Sequence, residues 1–466
     1  LVTLQKSKWK HFWNGWDSLN RSKEVLYSYT KKISEINPLQ FFHNGSANFK
    51  GQRFFWTNRA RNEMIVGLGI TLQFSSNENG KERYLEIEKR WKQIVANSFC
   101  HSPNSHIGPY MFGGFSFDPK RERTPLWEKF AHTEFVLPTV MLTIKDDEAF
   151  LTYNFFTDTS KEKVNQTLLL EEALLKDGTH SYGSSELSSF LEMDPIEWKQ
   201  SIEEVKRRIV AGHMDKVVLA RELRTKFLDS INVESVLSIL LEEQPSCYVF
   251  AFEREDNCFI GASPEQLVQK ESEIVKSMCL AGSIARGKTI AEDENLGDTL
   301  LSDSKNLQEH DFVVQMISNS LKAVCQQVTT GDRPKLYKLK HIQHLFTSVI
   351  GELKDDVSIF QLIERLHPTP ALGGYPKEIS LETIREVEVL DRGWYAGPIG
   401  WMNLKGDGEF AVAIRSALLQ EKEASLFAGC GIVENSDPES EYEETRIKFK
   451  PMLSALGGIR HHDSNE

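Results

Sequence analysis

Tyr248-Val-Phe-Ala-Phe252 and Cys258-Phe-Ile-Gly-Ala262 are two apolar runs separated by the polar segment Glu253-Arg-Glu-Asp-Asn257. Short runs rich in aromatic and β-branched residues, joined by a charged connection, read as paired strands. Upstream, Asp194-Pro195 reads as an N-cap with proline at the first helical position, and Trp198, Ile202, Val205 and Ile209 follow helical spacing until Gly212 ends the run. A strand is expected over Lys216–Glu222, then a long helix over Ser304–Val328. Further strands fit Ile399–Asn403, Phe410–Leu418 and Leu426–Ala428, and a last helix starts at Asp437-Pro438. Hairpin-like strand pairs with separated helices, and no succession of βαβ units, predict an α+β fold.

The first 190 residues are patchier. Arg53–Trp56, Met64–Phe74 and Phe135–Thr143 are strand-like, Lys81–Ser98 is helical, and Phe112–Phe115 reads as a glycine-rich turn. The polar stretch Lys176–Ser189 reads as a connector. The expected organisation is an N-terminal subdomain over 1–190, a main region over 191–460 and a polar tail over 461–466.

The 466 residues carry 55 Lys+Arg against 67 Asp+Glu, a formal net charge of −12. Hydrophobic residues make up 40% and charged residues 26%, which is a globular rather than a disordered balance. An acidic chain without basic clusters is a poor nucleic-acid binder. Its apolar runs fall short of the roughly 18 residues a membrane helix needs, and its start shows no secretory signal. The six cysteines are scattered without a C-x-x-C pair, as expected of a reduced, cytoplasmic protein.

Gly282-Ser-Ile-Ala-Arg-Gly287-Lys288-Thr289 satisfies the pattern of a phosphate-cradling loop. That mechanism wants a helix after Thr289, where the acidic stretch Ala291-Glu-Asp-Glu-Asn295 follows instead, and a metal-holding Asp downstream, which is missing. A nucleotide-binding protein is therefore the alternative from another functional class, and a flexible turn the simpler reading.

Several charged residues fall where charge is costly. Glu309 lies one turn before Val313 on the apolar stripe of its helix; it must be protonated, paired or metal-bound, or else sit in the first turn favoured by the helix dipole. Glu441, Glu444 and Lys448 share one stripe of the last helix, either as a solvated face or as carboxylates for a hard cation that keeps water positions open. Alternation places Lys216 with Val218 and Ala220, a general base if that face is inward. Arg415 shares a face with Ala411, Ala413 and Ala417, with room for an anion or for an ion pair. His341-x-x-His344 is a structural pair, a single pocket histidine or a weak ligand pair. Gly429-Cys430-Gly431 reads as a turn, with or without amides offered to a carboxylate. Ser263-Pro264-Glu265 looks like a helix start that could also aim Glu265 into a cleft as an acid.

Together these segments resemble the chorismate-utilising enzymes. The resemblance is carried by Asp215-Lys-Val-Val-Leu-Ala-Arg221, Gly261-Ala-Ser-Pro-Glu265, Leu280-Ala-Gly-Ser-Ile-Ala-Arg-Gly287 and Ser304-Lys-Asn-Leu-Gln-Glu-His310. It continues in His367-Pro-Thr-Pro-Ala-Leu-Gly-Gly374, Ala413-Ile-Arg415, Ala428-Gly-Cys-Gly-Ile432 and Glu441-Tyr-Glu-Glu-Thr445. The N-terminal part, including Phe112-Gly-Gly-Phe-Ser-Phe-Asp118, is similar to the menaquinone-type isochorismate synthases. The resemblance implies one large chorismate-binding body of two facing, largely antiparallel sheets flanked by helices. It implies Lys216 as the base activating water for attack at C2, and Glu265 as the acid protonating the C4 hydroxyl. Mg²⁺ is implied on Glu309 and Glu444, with Glu441 through water. Substrate contacts are implied for Gly282, Ser283, His344, Ala371, Tyr395, Arg415, Gly429, Cys430, Gly431 and Lys448. Ala281 stands where aminating relatives carry a lysine nucleophile, and Ala371 where salicylate and anthranilate synthases usually carry threonine. Ala281 removes that covalent route, Ala371 favours water addition without pyruvate loss, and no glutaminase partner is expected. A salicylate synthase is the alternative within the class. Cys430 replaces the commoner alanine, and Asn306 stands where some relatives place another acid.

Overall fold

The computed structural model describes residues 8–19, 24–104, 106–178, 182–183, 185–340 and 342–458; the expected polar tail 461–466 and His341 lie outside the described residues. Two large sheets dominate. Each is antiparallel in almost every pairing, and strands from both halves of the chain interleave in each. In the first sheet the strand Arg53–Thr57 lies between Glu63–Leu68 and Tyr248–Arg254, the latter paired in turn with Asn257–Ser263 as the apolar runs predict. In the second, Tyr110–Phe115 pairs with Pro398–Asn403. The aromatic inner faces meet: Phe112 of the second sheet packs against Phe54, Trp56 and Phe252 of the first. These belong to one core cluster that Leu267, Val268, Ile399 and Phe410 continue.

Several expectations need correction. Phe112–Phe115 is no turn but part of a fully buried strand, its glycines allowing close backbone approach. The helix expected to Val328 is Ser304–Lys322; Cys325–Thr330 turns back as an edge strand against Ile342–Leu353. Asp194 precedes the helix Pro195–Val210 with a left-handed backbone (φ 44°) and no side-chain cap. Asp437 does cap the last helix, Pro438–Ala455, accepting from the Ser440 amide. Among the described residues no helix is long and apolar enough to cross a membrane.

What positions the site is a pair of crossings between the sheets. The chain leaves the first sheet at Ser263 and enters the second at Gln266, so Ser263-Pro264-Glu265 starts no helix. The run Phe410–Leu418 is likewise two strands, Gly408–Val412 in the second sheet and Ser416–Gln420 in the first. Arg415, at φ 52°, makes that break, which removes it from the alternation with Ala411 and Ala413. The crossings lie side by side: the Ala262 amide donates to the Arg415 carbonyl at 3.0 Å, and the Val412 amide to the Glu265 carbonyl at 3.1 Å.

Candidate active site

Beside the crossings lies a cavity of about 270 Å³, near the lower bound for small-molecule sites. It is walled by the strands Lys216–Phe227, Glu423–Ile432 and Ile274–Ala285 and by one end of the helices Ser304–Lys322 and Pro438–Ala455. Every residue to which the resemblance assigns a catalytic, substrate or metal role lines this one cavity, whereas Lys288 and Thr289 do not.

Lys216 begins its strand and is only 8% exposed, with Val218 beside it on the cavity wall. Its Nζ lies 2.5 Å from Glu309 Oε1, and its carbonyl accepts the Ser380 hydroxyl at 3.0 Å. A Cβ built on Gly431 would stand 2.6 Å from Lys216 Cε and 3.1 Å from Nζ, so the glycine makes room for the lysine. Because the crowded atoms are the far end of a flexible chain, Gly431→Ala should displace the amine rather than unfold the protein. The expected result is at least a roughly tenfold loss of turnover with an unchanged melting temperature; wild-type turnover would contradict this role for the glycine.

Glu265 is 5% exposed, and burial pushes its carboxyl up to about 8 although Arg415, Lys216 and Lys448 all pull the other way. At neutral pH it holds its proton and is a potential proton donor. Arg415 is buried and, among the described residues, makes no ion pair, which leaves its charge for an anion. His344 faces Ser283 across the ladder, next to a bulge at Gly282 (φ 74°) that re-aims the local side chains. Burial, then Arg415 and Lys448, hold this histidine down at about 3, so it is neutral, and its buried Nε2 has no hydrogen-bond partner among the described residues. Ala371 and Tyr395 close another wall; Tyr395 stacks on Phe427, and burial pushes its hydroxyl up to about 12.

Gly429-Cys430-Gly431 is not a turn; the strand runs on to Ile432. Its neighbour Ser416–Gln420 ends opposite Phe427, which leaves the edge beyond that residue without a strand partner. Lys448 donates to the Gly429 carbonyl at 2.9 Å and pairs with Glu444 at 2.5 Å. Glu444 is held below its ordinary range by Lys448, against its burial. Glu441 accepts the Ser436 hydroxyl at 2.7 Å and is raised by burial and then by Glu444. Glu309 turns to the cavity with its side chain 28% exposed, while His310, Val313 and Ile317 take the core side of that helix. Three carboxylates on one wall, two of them repelling, are the donor type a hard cation takes. Among the described residues no three such groups already form a coordination cluster, so a cation would take the place of Lys216 and Lys448 on their carboxylates.

A helix, Ile290–Ser302, does follow Thr289, which caps it, contrary to expectation, but the phosphate-loop reading fails on other geometry. The strand continues antiparallel through Ala285, and the Gly287 and Lys288 amides donate to Asp293 and Glu292 of the same chain. A larger cleft of about 500 Å³ lies farther along the strand of Lys216, but Glu222, Glu388 and Glu423 on its wall are already paired with arginine or lysine. The sequence reading did not single out Lys305, Leu372 or Arg392, which also line the catalytic-type cavity. An Arg four residues after Glu388 would have been visible as an i,i+4 pair, although nothing in the pattern marks it as buried.

Two interleaved sheets with a small, cation-rich and acid-bearing cavity at their crossings form a site of the kind an enzyme acting on a small anion needs. The chain belongs to the chorismate binding enzyme family, whose pattern matches residues 12–457. It is similar to the isochorismate synthase MenF of Bacillus subtilis, with 45% identity over 95% of this chain and 97% of that protein. It is also similar to the salicylate biosynthesis isochorismate synthase of Pseudomonas aeruginosa, with 32% identity over 94% of this chain and 92% of that protein. Among solved structures, the menaquinone-specific isochorismate synthase of Escherichia coli has the same fold, with a TM-score of 0.77 at 24% identity, covering 96% of this chain and 99% of that one.

Proposed function

We propose that the protein is an isochorismate synthase, converting chorismate reversibly to isochorismate in the cytoplasm on the route to menaquinone. The observation that carries this reading is a buried Glu265, its carboxyl raised by that burial, in one cavity with Lys216 and with Arg415, which makes no ion pair among the described residues. Near-full-length likeness to an isochorismate synthase supports water as the nucleophile. Lys216, released from Glu309 and having left one ammonium proton to solvent, is a neutral amine that accepts a proton from water as the oxygen attacks C2. Glu265 gives its proton to the C4 hydroxyl, which leaves as water while the double bonds shift, so one oxygen enters and one departs. Arg415, Lys448, His344 Nε2 and the amide edge at Gly429–Gly431 hold the substrate carboxylates. Ala281 offers no amine for a covalent adduct, and no glutaminase subunit is required. Glu309, Glu444 and Glu441 would hold Mg²⁺, which when bound supplies positive charge for the ring carboxylate.

The test is incubation with chorismate and Mg²⁺, with products separated and pyruvate assayed. Isochorismate without pyruvate is the expected result; salicylate with stoichiometric pyruvate would reassign the chain to the salicylate synthases. Glu309→Ala should weaken the apparent Mg²⁺ affinity by more than about tenfold, read both in a Mg²⁺ titration of turnover and in direct cation binding. An unchanged titration would remove Glu309 from the cation site.

A further inference from the structure

We propose that Glu388 and Arg392 act as a positioning pair that fixes the strand of Lys216 against the loop of Ala371. This inference rests on the function proposed above. The strand Lys216–Phe227 has a gap on one edge. Lys216 and Val217 pair with Gly374–Tyr375, and pairing with Leu187–Glu192 resumes only at Leu223. Between these contacts the Ala220 amide and the Val218 carbonyl have, among the described residues, no strand neighbour on that side, and such buried groups need partners.

The pair supplies two of them. Glu388 Oε1 accepts the Ala220 amide at 2.7 Å, and Arg392 Nη2 donates to the Val218 carbonyl at 2.7 Å. Arg392 Nη1 also donates to the Leu372 carbonyl at 3.1 Å, next to Ala371 on the cavity wall. The two side chains grip each other through Nε to Oε2 at 2.9 Å and a second, shorter contact from Nη2 to Oε1. One guanidinium therefore ties together the strand that starts with Lys216 and the loop facing it. Buried ion pairs add little net stability compared with apolar residues of similar volume, whereas a planar fork with several fixed donors holds geometry well. Misplacing a reacting group by about 1 Å costs on the order of a hundredfold in rate.

The experiment compares wild type with Arg392→Lys, which keeps the charge and loses the fork, and Glu388→Gln, which keeps an acceptor for Ala220. The paired replacement Glu388→Gln/Arg392→Met guards against a single variant that does not fold. Expected results are a kcat lowered about 10- to 100-fold, a KM for chorismate within about threefold, and a melting temperature nearer wild type in the paired variant than in the single ones, each of which leaves a buried partner uncompensated. Amide exchange should speed up across residues 216–222 and stay as it was in the last helix. Wild-type kcat in the variants overturns the proposal. So does a rise in KM at constant kcat, which would make Arg392 a substrate contact. Should wild type make no isochorismate, the functional reading fails by itself. Exchange at 216–222 then still decides for the pair if it accelerates, and against it if it does not.

Discussion

Glu265→Gln is expected to lower turnover by about a thousandfold or more while making the folded protein more stable at neutral and alkaline pH. The amide keeps the shape and a hydrogen-bonding group but has no proton to give. The stability gain follows from linkage. Burial raises the native carboxyl from an ordinary 4.5 to about 8. Between those values the folded chain holds a proton that the unfolded chain releases, so stability is fully present below the lower value and falls as pH rises to the upper one. The loss is on the order of 3–5 kcal/mol by pH 8, and glutamine does not incur it. The difference in melting temperature between variant and wild type should therefore widen from pH 5 to pH 8. Wild-type turnover should decline as pH passes about 8, where the donor loses its proton. A variant with near-normal turnover, or a gap in melting temperature that does not vary with pH, would remove Glu265 from the acid role.

Lys216→Met is expected to reduce kcat by about 10²- to 10⁴-fold. The methionine fills the channel beside Gly431 but cannot take a proton, and Glu309 loses its 2.5 Å partner. Because Arg415, Lys448 and His344 remain, substrate binding measured by calorimetry should survive within several-fold. Turnover within tenfold of wild type would show that another group deprotonates the water.

The parts of the site that could be read from the sequence are those where periodicity and geometry coincide. Lys216 lies on a true strand, so alternation placed it correctly on a wall with Val218. The Asp437-Pro438 start set the phase of the last helix, and with it the shared stripe of Glu441, Glu444 and Lys448. Periodicity fails where the backbone departs from a repeat. Phe410–Leu418 alternates smoothly in sequence, and nothing in Ala413-Ile-Arg415 reveals that a non-glycine residue adopts φ 52° to move between sheets. Ser263-Pro264-Glu265 carries a helix-start signature, yet its proline occupies a crossing, where the missing N–H is equally harmless. The helix from Ser304 stops at Lys322 although Val324 and Val328 keep its spacing, because Cys325–Thr330 finds a strand edge to join. Glu388 and Arg392 escaped notice because a pair four residues apart ordinarily lies in water.

The interleaving of the sheets bears on how the molecule is made. As the polypeptide emerges from the ribosome, Arg53–Thr57 must wait for Tyr248–Arg254, and Tyr110–Phe115 for Pro398–Asn403. The early aromatic strands thus keep one edge without its permanent neighbour until the later strand has been synthesised, while the other edge has its partner early. Neither sheet is complete until those later strands have joined it, so folding does not finish stepwise from the first residues onward.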